Sequence, residues 1–332
     1  IKNQKTKNAQ SVKTLKTRHK LALTGTPIEN SLAELWSIFD FLMPQYLFNY
    51  HYFQKQYESS IVKNNDEEKT KQLKKLVTPF ILRRNKKEVL KELPDKIEQN
   101  MILPFSDEEE KIYVANLAKV NEELQQLYDI EGSDKMQILK MLTRLRQLCL
   151  EPRLVYDNID QPSSKLKACM ELIKTMQENK QKVLLFSSFT SALDLIAEEC
   201  QKAGITYYML TGSTNKEERR ELVSRFQKDD TTLFLISLKA GGTGLNLTSA
   251  ENVIHYDPWW NVSAQNQATD RAYRIGQKSN VQVFNLVMKD SVEEKIIEMQ
   301  KRKKELADMF VENNSGGLSQ MSKEDILSLF TM

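Results

Sequence analysis

Cysteine and histidine are scarce in this sequence, which has 3 of each among its 332 residues. The cysteines show no CxxC spacing, and the histidines lie far from them along the chain. This pattern argues against a zinc site and a disulfide framework, so the sequence predicts no metal ligands and a reducing, intracellular compartment. The residues are Cys149, Cys169, Cys200, His19, His51 and His255.

Long apolar runs and a charge excess are missing as well. The longest apolar stretches, such as residues 183–186, fall far short of a bilayer span, and the N-terminus carries no charged-then-apolar signal. The 48 basic and 45 acidic residues leave a net charge of +3. Affinity for nucleic acid must therefore come from local patches, and we expect no membrane partner. The sequence begins at Ile1 without a methionine, and we expect a fragment.

Two parts of the chain differ in their sequence patterns. Residues 46–155 are helical in pattern, rich in charge and poor in glycine, and they include a basic segment at 83–96. After Ser163 short apolar strands alternate with helical segments of about a dozen residues, as crossovers between parallel strands require. This half is predicted to be a doubly wound α/β domain with a parallel sheet. The strands are predicted at 183–186, 207–210, 233–236, 253–256 and 281–287.

Three local signals sharpen this pattern. Residues 21–23 are apolar and predict a short strand before the sequence TGTP. Gly204 predicts a left-handed end for a helix over 191–202. Thr214 and Glu217 predict a capping box at the start of the following helix.

The run QATDRAYRIGQ at residues 267–277 has the outline of a phosphate clamp. Gln267, Arg271 and Arg274 recur at i, i+4 and i+7, which places them on one face if the segment is helical. Two guanidiniums one turn apart offer planar, permanently charged forks that a terminal phosphate can bridge. The alternative is a solvated basic helix face.

The segments that follow two predicted strands carry phosphate-binding chemistry. SSFTS at 187–191 places hydroxyls at a helix start, although plain N-capping would use the same residues. SLKAGGTGLNLT at 237–248 combines glycines, which permit close backbone approach, with cationic and polar side chains; a turn without chemical significance is the alternative. Neither segment matches GxGxxG, and no glycine in the chain precedes a lysine, so the phosphate-cradling GxxxxGK[ST] element is absent.

Five motifs together resemble one family. They are TGTPIEN at 24–30, LVTPFILRR at 76–84, SLKAGGTGLNLTSA at 237–250, YDPWWN at 256–261 and QATDRAYRIGQ at 267–277. In this order the sequence resembles the SWI/SNF-type DNA-translocating ATPases of helicase superfamily two. The resemblance implies two RecA-like lobes that bind ATP with Mg²⁺ between them and duplex DNA across both, with helical protrusions inserted.

The resemblance also implies a division of the chain. Residues 1–45 resemble the end of lobe one, 46–96 a helical protrusion with a basic linker, and 97–160 a strand followed by a second protrusion. Residues 161–300 resemble lobe two, and 301–332 resemble C-terminal brace helices. The phosphate loop and the acidic DEAH element of the family, which bind phosphate and magnesium, do not occur in this sequence, so we expect the chain to be inactive by itself.

Site residues follow from the resemblance motif by motif. Arg271 and Arg274 resemble arginine fingers that act in catalysis, with Gln267 beside them. The nucleotide-binding residues implied are Gly25, Thr26, Gly244, Asn246 and Asp270. The DNA-binding residues implied are Ser187, Ser188, Thr190, Lys239, Gly242, Thr243, Arg83 and Arg84. For Arg83 and Arg84 a solvated basic segment is the alternative. For Trp259 and Trp260 we favour packing over base stacking.

The implied partner is duplex DNA, held mainly through its phosphate backbone, with protein cargo on that DNA and a monomeric motor. RQLCLEPRLV at 146–155 resembles prokaryotic members of the family, which favours a bacterial, nucleoid-associated protein of the cytoplasm over a nuclear one. A strand-separating DNA helicase and a non-catalytic DNA- or protein-binding module remain as alternatives.

Overall fold

The computed structural model describes residues 1–24, 31–64, 66–82, 84, 89–90, 92–128, 135–241 and 245–310. These residues form two compact units. The first comprises the described residues of 1–89, residues 260–263 and residues 300–310, and the second comprises those of 90–259 and 264–299. Within the described residues no helix is long and apolar enough to cross a membrane.

The first unit is helical. Its elements are α1 (Lys7–Lys13), α2 (Leu32–Leu42), α3 (Tyr50–Phe53), a π-helical turn (Gln54–Glu58), α4 (Ser59–Asn64), α5 (Glu67–Val77) and a 3₁₀ turn (Thr78–Phe80). The core is an aromatic-rich cluster in which Leu35 and Phe39 of α2 meet Phe53 and Leu73. Helix α2 forms here because its apolar residues recur every three to four positions and so share one face.

The strand expected at residues 21–23 is wrong. This stretch has no regular structure, and Leu21 and Leu23 are 89% and 99% exposed. A strand needs a neighbour to pair its backbone groups, and no strand pairs with these residues in the described part of the chain. Apolar content alone therefore gave a false signal.

The remaining elements alternate between strand and helix. They are β1 (Lys96–Leu103), α6 (Asp107–Tyr128), α7 (Lys135–Leu150), a 3₁₀ turn (Pro152–Leu154), α8 (Ser164–Glu178), β2 (Val183–Ser187), α9 (Thr190–Lys202), β3 (Tyr207–Leu210), α10 (Lys216–Lys228), β4 (Leu233–Ser237), α11 (Leu238–Gly241), β5 (Asn252–His255), α12 (Val262–Thr269), β6 (Val281–Met288) and α13 (Val292–Phe310).

The six strands form one parallel sheet in the order β1-β6-β5-β2-β4-β3. The predicted doubly wound α/β fold is confirmed, and the five predicted strands agree with β2 to β6 to within one residue at each end. Strand β1 is the strand expected near residue 97. It pairs in parallel with β6 over eight residues, from Lys96 opposite Val281 to Leu103 opposite Met288. Strand β1 and helices α6 and α7 thus share one compact unit with the sheet.

The central strands β2, β4 and β5 are buried on both faces of the sheet. Successive side chains of a strand point to opposite faces, and helices cover both. Leu185, Leu235 and Ile254 point to one face, where α8 and α9 cover them. Leu184 and Phe234 belong to the other face, in a cluster with residues of α10 and α12. This two-sided burial explains why β2 and β4 read as continuous apolar runs.

Local signals were right at one helix end and wrong at the next. Gly204 has φ +67°, the left-handed conformation predicted for the end of α9. The capping box at Thr214 is wrong, because Asn215 caps α10 and accepts hydrogen bonds from the backbone N–H groups of Glu217 and Glu218 at 3.0 and 2.9 Å. Thr214 instead accepts a hydrogen bond from the Thr211 N–H at 3.0 Å.

Candidate nucleotide and DNA-backbone site

The sheet order places a reversal of chain direction at the carboxyl ends of its central strands. Strand β2 lies between β5 and β4; the chain leaves β2 toward one side of the sheet and leaves β4 toward the other. Open α/β sheets bind ligands where such connections diverge. The segments that follow β2, β4 and β5 contain most of the predicted site residues, so the fold brings three separate motifs to one edge.

The predicted arginine face is only partly helical. Helix α12 ends at Thr269, so Gln267 is helical whereas Arg271 and Arg274 lie in the turns that follow. The expectation of one continuous helix face is wrong beyond Thr269. The backbone tightens there, since the Arg271 N–H donates to the Ala268 carbonyl at 3.1 Å, three residues back instead of four.

The two arginines nevertheless converge on one segment. Arg271 Nε donates to the Gly241 carbonyl at 2.9 Å, and Arg274 Nη1 donates to the Leu245 carbonyl at 3.4 Å. The Leu247 N–H donates to the Arg271 carbonyl at 3.0 Å. The guanidiniums therefore hold both sides of the glycine-rich segment after β4, whose residues 242–244 lie outside the described part of the chain.

The charges of the pair act on each other. The pKa of Arg271 is lowered, first by burial and then by the positive charge of Arg274, while Asp270 opposes the shift. Two neighbouring positive charges raise the free energy of the site, and an anion placed between them would lower it. The arrangement is suited to a phosphate group.

Gly241, the last residue of the short helix α11 that follows β4, has a packing role. A Cβ at Gly241 would lie 2.9 Å from Cε1 of Phe186, closer than real Cβ contacts come. Gly241 is buried, and this contact fixes how near α11 lies to β2. The close approach explains a glycine at this position of the motif.

Three of the other predicted nucleotide residues lie in the described part of the chain. Gln267 is half-buried on α12, and Asp270 lies near enough to Arg271 to influence its charge. Asn246 is exposed, and its carbonyl accepts a hydrogen bond from Gln227 Nε2 at 2.7 Å. Gly25, Thr26 and Gly244 lie outside the described residues.

The predicted DNA residues differ in exposure. Ser187 is 1% exposed and donates its hydroxyl to Asp257 Oδ1 at 2.7 Å. The N–H of Ser188 donates to the same oxygen at 3.0 Å, and its hydroxyl donates to Oδ2. Thr190 and Lys239 are exposed, as is Arg84. Arg83, Gly242 and Thr243 lie outside the described residues. Ser187 thus shapes its segment from inside, whereas Thr190 and Lys239 face solvent.

Sequence reasoning missed a buried ion pair at this edge. Arg146 of α7 is 6% exposed, and its Nη2 lies 2.8 Å from Oδ2 of Asp257, which is 5% exposed. A signal was present, because Arg146 lies on the apolar face of α7 between Leu142 and Cys149. An arginine on a buried helix face requires a buried partner.

The two tryptophans pack, as expected. Trp260 is 6% exposed, and Trp259 is half-buried against the cluster on one face of the sheet.

His255, at the end of β5, is a buried titratable group near the site. Its Nε2 shares a hydrogen bond with Thr269 Oγ1 at 2.9 Å. Burial lowers the pKa of His255 to about 4, although the carboxylates of Glu98 and Asp257 oppose the shift.

Two family models match successive parts of the chain. The SNF2-related domain matches residues 1–154, and the helicase conserved C-terminal domain matches residues 164–276. The solved SWI2/SNF2 ATPase core of Sulfolobus solfataricus is 35% identical, with a TM-score of 0.60, and the match covers 99% of this chain and 68% of that one. The same core in complex with dsDNA is 34% identical, with a TM-score of 0.59 and coverages of 99% and 70%.

The chain belongs to the SWI/SNF family. Its parallel sheet is accordingly the RecA-like sheet of SWI/SNF ATPase cores. Among curated proteins, "Putative ATP-dependent helicase/translocase YwqA" of Bacillus subtilis is 39% identical over 100% of this chain and 37% of its own length. A human SWI/SNF-related regulator of chromatin, subfamily A member 1, is 34% identical over 99% of this chain and 33% of its own length. The chain spans about a third of the length of these SWI/SNF relatives.

Proposed function

We propose that this chain is part of an ATP-driven motor that moves along duplex DNA. Its parallel-sheet unit acts as the second RecA-like lobe, supplying charge to the nucleotide and contacts to the DNA backbone. The observation that carries the proposal is the convergence of Arg271 and Arg274 on the two sides of the glycine-rich segment after β4. Membership of the SWI/SNF family supports it.

The arginine pair fits the terminal phosphate of ATP. During phosphoryl transfer negative charge spreads over the equatorial oxygens of the transferring group, and guanidinium forks stabilise that charge. Hydrogen bonds to the carbonyls of Gly241 and Leu245 hold Arg271 and Arg274 in place. Gln267, Asp270 and Asn246 lie in the same region and are proposed to contact the nucleotide, as are Gly25, Thr26 and Gly244.

The chain offers anion-binding groups but no phosphate loop. Because GxxxxGK[ST] does not occur in the sequence, we assign no magnesium ligand or phosphate cradle to these residues. Bound ATP with Mg²⁺ supplies the leaving group and the free energy of hydrolysis. Arg271 and Arg274 then have one task, which is to place positive charge on the γ-phosphate when the two lobes of the motor close. We expect the chain alone to be inactive.

The exposed donors at the same edge suit a DNA backbone. Thr190 and Lys239 follow β2 and β4, and both face solvent. A hydroxyl and an ammonium that contact phosphates would give binding with little sequence preference and with strong salt dependence. Ser188, Arg84, Arg83, Gly242 and Thr243 are proposed as further contacts, and Ser187 as a residue that shapes the segment.

The partner and the setting follow from the same chemistry. A motor that grips backbone phosphates can displace proteins bound to DNA, so we include protein cargo in the proposal, with one copy acting as the motor. The similarity to a bacterial relative at 39% identity favours a nucleoid-associated protein of the bacterial cytoplasm.

The test is ATP turnover by the gene product that contains this chain, measured without DNA, with single-stranded DNA and with duplex DNA. Strong stimulation by duplex supports a double-strand translocase. Equal or greater stimulation by single strands would favour the strand-separating helicase. Salt-sensitive DNA binding without turnover under any condition would contradict the proposal and leave a non-catalytic binding module. The 332-residue chain alone serves as the negative control.

A further inference from the structure

One buried guanidinium joins two loops at the carboxyl edge of the sheet. Arg146 Nη2 lies 2.8 Å from Asp257 Oδ2 and donates to Ser188 Oγ at 3.0 Å and to the Pro258 carbonyl at 3.3 Å. The guanidinium carbon also lies 4.9 Å from the ring centroid of Phe189 and 5.6 Å from that of Trp259. Its partners therefore come from the segment after β2 and from the segment after β5.

The carboxylate of Asp257 extends this connection into the backbone of the first loop. Oδ1 accepts hydrogen bonds from Ser187 Oγ at 2.7 Å and from the Ser188 N–H at 3.0 Å. The Phe189 N–H donates in turn to Ser187 Oγ at 3.1 Å. The conformation of the loop that leads to Thr190 is thus set by an ion pair whose cation belongs to helix α7.

A buried ion pair of this kind is a weak source of folding stability. Removing two charges from water carries a desolvation penalty that their attraction offsets only when the geometry is good, and apolar residues of similar size often stabilise a fold as well or better. A buried, hydrogen-bonded pair does fix one arrangement of the groups that it contacts. The contacts of Arg146 point to the shape of the loop between β2 and α9.

We propose that Arg146 is a positioning residue for DNA binding. It holds the loop in the geometry that presents Thr190 to a backbone phosphate, and it makes helix α7 and this loop move together. The proposal rests on the assignment of the loop to DNA contact made above. It adds that the helical segment between β1 and α8 sets the grip of the motor on DNA through one side chain.

The chemistry of arginine predicts which substitution tests this. A lysine keeps the charge, but its ammonium ends one bond short of Nη2, the nitrogen that makes all three polar contacts. It also lacks the planar group that lies against the rings of Phe189 and Trp259. Arg146→Lys should raise the duplex concentration that gives half-maximal ATP turnover by about tenfold, because the loop would then occupy its binding-competent conformation only about a tenth of the time. Turnover at saturating duplex should stay within about twofold of wild type.

The matched control is Arg144→Lys. Arg144 lies on the same helix two residues earlier, is exposed, and bonds to Asn116 Oδ1 and the Tyr156 hydroxyl at 3.0 and 3.2 Å. Its substitution should leave the half-saturating duplex concentration unchanged. The assay uses the complete gene product, and an unchanged half-saturation in Arg146→Lys would overturn the proposal, as would a loss of maximal turnover alone.

A second readout does not depend on the motor being active. Hydrogen exchange of the Ser188 and Phe189 amides in the absence of DNA should accelerate in Arg146→Lys and not in Arg144→Lys. If wild-type protein shows no duplex-stimulated turnover, the proposed function fails, and this exchange measurement still decides whether Arg146 holds the loop. Unchanged exchange would overturn that role.

If Arg146→Lys fails to fold, the double substitution Arg146→Met with Asp257→Asn takes its place. It leaves no buried unpaired charge, so folding should be retained. The raised half-saturation should appear in this protein too, and wild-type half-saturation in it would overturn the proposal.

Discussion

Two groups of arginines lie at the same edge of the sheet and differ in what they contact. Arg146 is buried, and its charge is matched by the carboxylate of Asp257. Arg274 is exposed and donates to a backbone carbonyl, as does the half-buried Arg271. A buried guanidinium paired with a carboxylate fixes structure, whereas a guanidinium that reaches solvent can also contact an anionic ligand. We propose that this difference separates a structural arginine from ligand-binding ones.

The largest effect is expected at the ligand-facing arginines. Arg274→Ala in the complete gene product should lower ATP turnover by on the order of a thousandfold, because the charge that develops on the γ-phosphate loses a stabilising group. Affinity for duplex DNA should stay within about threefold of wild type, since the side chain is proposed to contact nucleotide. Turnover is measured at saturating ATP and duplex, and affinity by fluorescence anisotropy.

The control for that substitution is Arg225→Ala. Arg225 is exposed on α10 and pairs with Glu221 of the same helix, so its removal should change neither quantity. Equal losses of turnover and of DNA affinity in Arg274→Ala would contradict the assignment of Arg274 to the nucleotide.

The structural role of the buried Arg146 should appear in the free energy of unfolding. Asp257→Ala leaves the guanidinium of Arg146 buried without its carboxylate, and the free energy of unfolding should fall by about 3–5 kcal/mol. Glu221→Ala removes the partner of an exposed arginine and should cost less than about 1 kcal/mol. Denaturant unfolding of both proteins at neutral pH gives the comparison. Similar losses would mean that the Arg146 pair is no more structural than a surface pair.

A titration extends the comparison to a buried group that the folded protein keeps neutral. The pKa of His255 is lowered by burial to about 4, below its ordinary value of 6.5, so the folded protein favours the neutral ring. Unfolded chains bind the extra proton between pH 6.5 and 4, and stability should therefore fall through this window as pH decreases, by up to about 3 kcal/mol. His255→Asn should remove that part of the pH dependence. The same slope in both proteins would contradict a buried neutral His255.

The smallest effect is expected at an exposed lysine. Lys239→Ala should weaken duplex binding by a few-fold and reduce the slope of log affinity against log salt concentration by about 1, as the loss of one phosphate contact does. ATP turnover at saturating duplex should not change. An unaltered salt slope would show that Lys239 makes no phosphate contact.

The sheet could be predicted because its strands are buried on both faces. Such strands appear as apolar runs, and β2 to β6 were found from these runs and the helices between them. Strand β1 has a polar, partly exposed pattern, and it was expected only from the family resemblance. The false strand at residues 21–23 shows the opposite error, since apolar residues without a pairing partner do not form a ladder.

The site was predictable in composition and less so in geometry. The motifs identified Arg271 and Arg274, but the end of α12 depends on backbone hydrogen bonds that carry no sequence signature. The ion pair of Arg146 with Asp257 joins residues 111 positions apart, and no local pattern specifies such a pairing. Long-range partners of this kind decide which polar residues face inward.

We propose that Arg274 contacts the nucleotide and that Arg146 positions the DNA-binding loop. Titrations of ATP turnover against duplex concentration test this division of roles directly. The gene product, Arg274→Ala and Arg146→Lys are compared across duplex concentration. We predict that Arg274→Ala lowers maximal turnover without changing DNA affinity, and that Arg146→Lys raises the half-saturating duplex concentration without changing maximal turnover. If both substitutions alter the same parameter, the two arginines do not have the separate roles assigned to them.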